Sequence, residues 1–148
     1  PLAAELVEDY PDLVWETSHT KGHRFAPSVM LMPWGYSFGR MNKEAAAQMI
    51  AAAARGKYFY PVNRGRGIFG PRGQVAELAV ARALIDAGEE LSYGQLTATD
   101  GGEVSHADGR RWRVTLEERE VEGVVSSCGD APKTGQAIVA TGVEPVAG

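Results

Sequence analysis

The dipeptide Asp108-Gly109 constrains this chain more than any other feature, because of what flanks it. An Asp-Gly pair takes the left-handed backbone of the two-residue turn that joins antiparallel strands without splaying them. Beyond it, Trp112, Val114 and Leu116 alternate with Arg111, Arg113 and Thr115. A strand with that alternation has one buried face and one wet face. The chain must therefore build an antiparallel sheet over a core, with strands expected at 91–99, 103–107 and 110–117 and a further one at 121–125.

The remaining elements mix helix and strand periods, which gives a mixed α/β (α+β) class. Leu2, Leu6 and Val7 recur at helical spacing over residues 2–10, and Pro11 ends that helix by restricting the residue before it. Val14 and Trp15 suggest a buried strand. Residues 28–32 and 36–41 read as a hairpin around Pro33-Trp34-Gly35. Asn42 is the expected N-cap of a helix over 43–55 and Gly56 its C′ residue, with Ala46, Met49, Ile50 and Ala53 as the buried stripe. Residues 57–73 form a glycine-rich connection carrying Lys57, Arg64, Arg66 and Arg72. It is longer than most loops without structure. A second helix is expected over 74–87, with Val75, Leu78, Ala81 and Ile85 inward and Gly88 as its stop. Beyond Cys128, Gly-Asp-Ala-Pro-Lys-Thr-Gly reads as a mobile tail.

Composition narrows the function. The 148 residues suffice for a real core. A net charge of −4 argues against broad nucleic-acid binding, which depends on neutralising phosphates. No run approaches the roughly 18 apolar residues of a membrane span, and the opening Pro-Leu-Ala-Ala-Glu lacks the basic start of a signal peptide. A lone Cys128 excludes an internal disulfide and a cysteine-only metal site. A reducing, cytoplasmic setting is the expectation. The chain opens without Met and reads from its first residues like the middle of something, a fragment or a processed chain.

Chemistry concentrates at Thr17-Ser-His-Thr-Lys-Gly-His-Arg-Phe-Ala-Pro27, where two of the three histidines, His19 and His23, stand four residues apart. Imidazole is the commonest metal ligand, and Gly22 permits a tight turn between the two. Spacing alone also fits two loop histidines bonded to backbone. A hydrolytic zinc site wants a further ligand and a general base; Thr20 and Lys21 follow His19 where a helical zinc motif would have Glu, and Glu16 has no fixed direction. Ser18 and Ser28 lack an oxyanion-hole motif. His106 reads as an exposed turn residue, and Cys128 has no base or second thiol placed to activate it. The stretch Asn63-Arg-Gly-Arg-Gly67 offers arginine forks and amides to an anion, though a solvated flexible connection explains it more simply.

Taken together, Val14-Trp-Glu-Thr-Ser-His19-Thr-Lys-Gly-His23-Arg-Phe-Ala26, then Val29-Met-Leu-Met-Pro33 and Tyr36-Ser-Phe-Gly-Arg40, resemble the sucrase/ferredoxin-like family. Its signature is a strand, H-x-x-G-H-[RK]-F/Y-A, a strand and a return strand. Gln74-Val-Ala-Glu77, Asp108-Gly109 before Trp112, and Ser127-Cys-Gly129 match later landmarks, so the resemblance covers most of the chain. Lys21 departs from the family's frequent glycine.

The resemblance implies a thioredoxin-like ferredoxin fold, incomplete at its N-terminus, and an iron–sulfur (2Fe-2S) electron-transfer protein, an electron carrier rather than a catalyst. It carries over His19 and His23 as metal ligands, with Gly22, Arg24 and Phe25 shaping and shielding the loop and Arg24 adding positive potential. The family's two ligand cysteines lie upstream of the first helix, and Cys128 matches neither. The 2Fe-2S cluster therefore belongs to a complete protein, and this chain supplies half of its ligands.

The expected organisation is a thioredoxin-like part over 1–56 with the H-x3-H loop, the connection 57–73, a helix plus β-hairpin extension over 74–127 on the same domain, and the tail 128–148. Expected partners are a redox protein and the cysteine-bearing N-terminal segment, with no nucleic acid and no membrane; a homodimer is left open. The competing readings are a cluster-free thioredoxin-like interaction or structural domain and, behind it, a zinc- or anion-binding enzyme. The family's sucrase label does not make it a sugar hydrolase, since no carboxylate pair here can be assigned the acid and nucleophile roles.

Overall fold

The computed structural model describes residues 2–18, 20, 23–126 and 129–147, and for His23 it describes the backbone alone. The described residues form three α-helices and two antiparallel sheets, of three and four strands, which is the expected mixed α+β class.

Helix α1 (Leu2–Asp9) buries Leu6 and lies against helix α2 (Lys43–Ala54), with Lys43 Nζ 2.9 Å from an Asp9 carboxylate oxygen. The strand expected at Val14 and Trp15 does not form. Leu13 and Val14 both donate their N–H to Tyr10 O at 3.1 Å, which carries the helix end into a turn, and Trp15 is 86% exposed. Two apolar residues without a partner strand leave the backbone groups better served by that turn than by an extended path.

The hairpin is as expected. Strands β1 (Val29–Leu31) and β2 (Tyr36–Phe38) pair antiparallel, Leu31 opposite Tyr36, with Pro33-Trp34-Gly35 between them. The Ala26-Pro27 and Met32-Pro33 peptide bonds are cis. Asn42 caps α2, its Oδ1 accepting from Ala45 N at 2.8 Å, and Gly56 follows at φ +69. The inward stripe is Ala46, Met49 and Ala52, with Ile50 and Ala53 half-buried.

The connection 57–73 is not a solvated loop. Strand β3 (Asn63–Arg66) completes the first sheet in the order β1-β2-β3. Its sequence, Asn-Arg-Gly-Arg, has no apolar residue and so no periodicity to read. What places it is backbone pairing to β2 and the close approach of Gly65, whose φ is +100 and where a Cβ would sit 2.7 Å from Gln74 Cβ.

Helix α3 (Pro71–Asp86) touches β3 and every strand of the second sheet, and so joins the two halves of one continuous core. It begins three residues earlier than the apolar pattern suggests. Pro71 suits the first helical position, and the cap comes from elsewhere in the chain: Asp100 Oδ1 accepts from Gly73 N at 2.7 Å. The buried face is also rotated. Gly73, Ala76, Glu77, Val80, Ala81 and Leu84 are buried, while Val75, Leu78 and Ile85 are half-buried. A buried glutamate and three small residues cannot be read as a core stripe from hydrophobicity.

The second sheet is a meander of β4 (Leu96–Ala98), β5 (Glu103–His106), β6 (Arg111–Val124) and β7 (Lys133–Pro145). Trp112 and Val114 are buried as their alternation requires, and the run at 121–125 mostly continues β6. The tail expected over 128–148 is mostly strand, since β7 pairs with β6 from Trp112–Pro145 to Val124–Lys133. Few of its side chains are large and apolar, so its order comes from the backbone ladder and stays invisible to hydrophobic patterning. No helix among the described residues is long and apolar enough to cross a membrane.

Because Gly70 offers no side-chain cap, Asp100 provides the one seen for α3 among the described residues. Asp100→Ala should cost about 1 kcal/mol in urea unfolding, the usual cost of losing a cap, and Asp100→Asn, which keeps an acceptor, should cost less. Equal stability for all three proteins would contradict this assignment.

Candidate functional site

His19 and Gly22, together with Lys21, lie outside the described residues, as does Cys128. Beyond Gly22 the described part of the histidine loop is a single 3-10 turn, His23–Phe25, leading towards β1. This end of the loop is strapped to the residues that follow β2. Phe25 O accepts from Arg40 N at 2.6 Å and from the Ser28 hydroxyl at 3.2 Å, and Pro27 O accepts from Met41 N at 3.0 Å. Gly39 N in turn donates to Val62 O at 3.1 Å, tying the same point to the approach to β3. Ser28 is thus a turn-holding hydroxyl rather than a candidate nucleophile.

Gly39 is buried because the loop end sits on it. A Cβ there would lie 2.9 Å from Phe25 Cβ and 2.9 Å from Arg64 Cδ, tighter than side chains tolerate. Above it, the Arg64 guanidinium lies 3.6 Å and the Arg24 guanidinium 4.6 Å from the Phe25 ring centroid. Arg64 is half-buried, and burial followed by the like charge of Arg24 lowers its pKa. Two cations therefore rest on the Phe25 ring.

The anion loop expected at 63–67 changes in kind. Gly65 N donates to Asn63 Oδ1 at 2.9 Å and Gly67 N to Gly35 O at 2.8 Å, so these amides are occupied, one within β3 and one by the β1–β2 turn. Arg66 Nε donates to Trp34 O at 2.8 Å. The arginines remain; these free amides do not.

His106 is the last residue of β5, with its side chain only 9% exposed, not an exposed turn residue. Its Nδ1 lies 2.8 Å from Asp108 Oδ1. The Arg110 backbone N–H, with His106 and the Arg110 side chain behind it, holds the Asp108 carboxyl down at about 2. These contacts lock the turn that opens β6. Glu16 and Ser18 are exposed. Among the described residues no group of three or more His, Cys, Asp or Glu side chains gathers where it could hold a metal ion.

A second polar cluster escaped the sequence reading. Glu77 on α3 is fully buried, and its Oε1 accepts the hydroxyl proton of Tyr36 on β2. Tyr36, Tyr58 and Tyr93 form a ring triangle with centroids 5.1 to 5.3 Å apart, and Trp34 stacks on Tyr93 at 4.9 Å. Tyr93 Oη accepts from Phe59 N at 3.1 Å. Glu77 Oε2 and Tyr58 Oη have no hydrogen-bond partner among the described residues. Burial pushes the Glu77 carboxyl up to about 7, against the Tyr36 hydrogen bond and the charge of Arg66, which hold it down. Burial, then Glu77, pushes the Tyr36 phenol up as well. The signal was present in the aromatic residues at 34, 36, 58 and 93, but nothing in the order of residues says that a glutamate joins them.

Compared with family models, with curated proteins and with solved structures, the chain matches none.

The raised carboxyl makes stability depend on pH with a definite sign. Folded Glu77 keeps a proton up to about 7, whereas the unfolded chain releases it near 4.5. Its contribution is therefore fully present below 4.5, is lost as pH rises to 7, and is flat above that. The loss is on the order of 3 kcal/mol, at 1.36 kcal/mol per pKa unit. Glu77→Gln keeps an acceptor for Tyr36 and does not titrate. Relative to wild type it should gain stability between pH 5 and pH 8 in urea unfolding; parallel pH profiles would show that Glu77 is not a neutral acid in the fold.

Proposed function

We propose that this chain is the imidazole-bearing part of a 2Fe-2S electron-transfer protein of the sucrase/ferredoxin-like type, with a thioredoxin-like fold and His19 and His23 as ligands. The observation that carries the reading is the H-x-x-G-H-R-F-A sequence, whose end is held to the residues after β2 by two hydrogen bonds, Arg40 N to Phe25 O and Met41 N to Pro27 O. A ligand loop needs such an anchorage, because geometry at a cluster is set by the residues that orient its ligands.

The donor set of this chain fits half of such a group. A 2Fe-2S centre takes four ligands, and the chain offers two imidazoles at the motif and one cysteine that matches neither thiolate position. The thiolates belong to polypeptide outside these 148 residues. When bound, the cluster supplies one-electron chemistry, and imidazole in place of thiolate raises its potential. The chain's own residues orient the loop through Phe25 O and Pro27 O and add positive charge through Arg24 and Arg64. Positive charge beside the site also favours an acidic redox protein as partner.

The test is iron and acid-labile sulfide content of the full-length gene product isolated without oxygen. Equal amounts of both are expected, with His19→Ala and His23→Ala each losing most of the cluster while the protein stays folded. A colourless, iron-free product, with both variants indistinguishable from wild type in stability, would contradict the proposal in favour of a cluster-free domain.

A further inference from the structure

Seven of the fourteen described lysines and arginines are paired with a carboxylate, among them Lys43 with Asp9, Lys57 with Glu90, and Arg110 with Glu89 and Asp108. Arg24 and Arg64 are not. Both guanidinium groups rest on the one ring of Phe25, at 4.6 and 3.6 Å, and among the described residues neither donates a hydrogen bond nor meets a carboxylate. Two like charges brought onto one ring repel, and the face of a phenylalanine only partly offsets that. The arrangement is nevertheless held firmly. Phe25 O is fixed by Arg40 N and Ser28 Oγ, and the Arg64 stem lies in the space left by the missing side chain of Gly39.

We infer that Arg24 and Arg64, clamped on Phe25, form a binding site for a phosphate group, either free phosphate or a phosphate monoester. Guanidinium forks match phosphate oxygens through paired charge-assisted hydrogen bonds. The charge decides between a phosphate and a carboxylate. A phosphate monoester carries about −1.5 to −2 at neutral pH and balances both arginines, whereas a single carboxylate leaves one charge uncompensated. Arg24 is exposed and Arg64 only half-buried, so the site opens to solvent and leaves room for the rest of an ester. The site stands on residues other than the histidines and does not depend on the iron–sulfur reading.

The experiment follows the arginine Nε–Hε resonances of the 148-residue chain by NMR while sodium phosphate replaces sodium chloride at constant ionic strength and pH 7.5. Saturable shifts of the Arg24 and Arg64 signals are expected. Arg24→Gln should weaken binding about tenfold, as should Arg64→Lys, which keeps charge and stem but loses the fork. Arg82→Gln, in a paired arginine elsewhere, should leave binding unchanged. Glycerol phosphate binding at least as tightly as inorganic phosphate identifies an ester as the ligand; inorganic phosphate alone identifies the free ion. Shifts that grow without saturation, equal affinity in Arg64→Lys, or acetate binding as tightly as phosphate would each overturn the site.

Discussion

The hydrogen bond from Tyr36 to Glu77 joins the two halves of this molecule between two side chains from which water is fully excluded. Tyr36 belongs to the central strand of the first sheet and Glu77 to the helix that faces the second. A charged carboxylate there would be costly, and burial instead keeps the proton on Glu77 up to about 7. A neutral acid can accept from Tyr36 and still donate on its other oxygen, and the Tyr36 ring packs against Tyr58 and Tyr93, on which Trp34 stacks. Leu96, Val80 and Val104 complete an apolar core around this one polar link. The register of β2, and with it the position of everything attached to the ends of β2, depends on that core.

What is attached is the end of the histidine loop. Residues just beyond β2 supply the N–H groups that hold Phe25 and Pro27, and Gly39 supplies the space into which Phe25 and Arg64 settle. The same short stretch therefore sets the loop against the sheet and brings Arg64, from a strand distant in sequence, beside Arg24. Neither arrangement needs a deep cavity. Both need a rigid strand end, which a half-exposed hairpin without the buried Tyr36 and Phe38 would not provide.

The parts of this architecture that were legible in the sequence are those where apolar side chains repeat or a local signal acts alone. The alternation around Trp112 and Val114, the Asp108-Gly109 turn, the hairpin at Pro33-Trp34-Gly35 and the Asn42 cap all have local causes. The rest depends on partners far along the chain. Strand β3 has no apolar residue and is placed by pairing with β2; β7 is placed by pairing with β6; the start of α3 is capped by Asp100, 27 residues away from Gly73. Glu77 would be assigned to the surface by any rule based on polarity, and Trp15, assigned inward, is exposed. Of the candidate site, the motif is read from the sequence, and its His19, Lys21 and Gly22 lie outside the described residues. The two cations on Phe25 were not legible, because Arg24 and Arg64 are brought together only by the fold.

The end of the histidine motif is thus anchored to the residues after β2, beside Arg24 and Arg64, and the role proposed for it is ligation of an iron–sulfur centre. Pulsed electron paramagnetic resonance of the reduced full-length gene product reads that ligation at the ligand atoms. Nitrogen couplings from two imidazoles are expected, with one lost in His19→Cys and the other in His23→Cys. A reduced centre without nitrogen coupling, or couplings unchanged in both variants, would contradict that role.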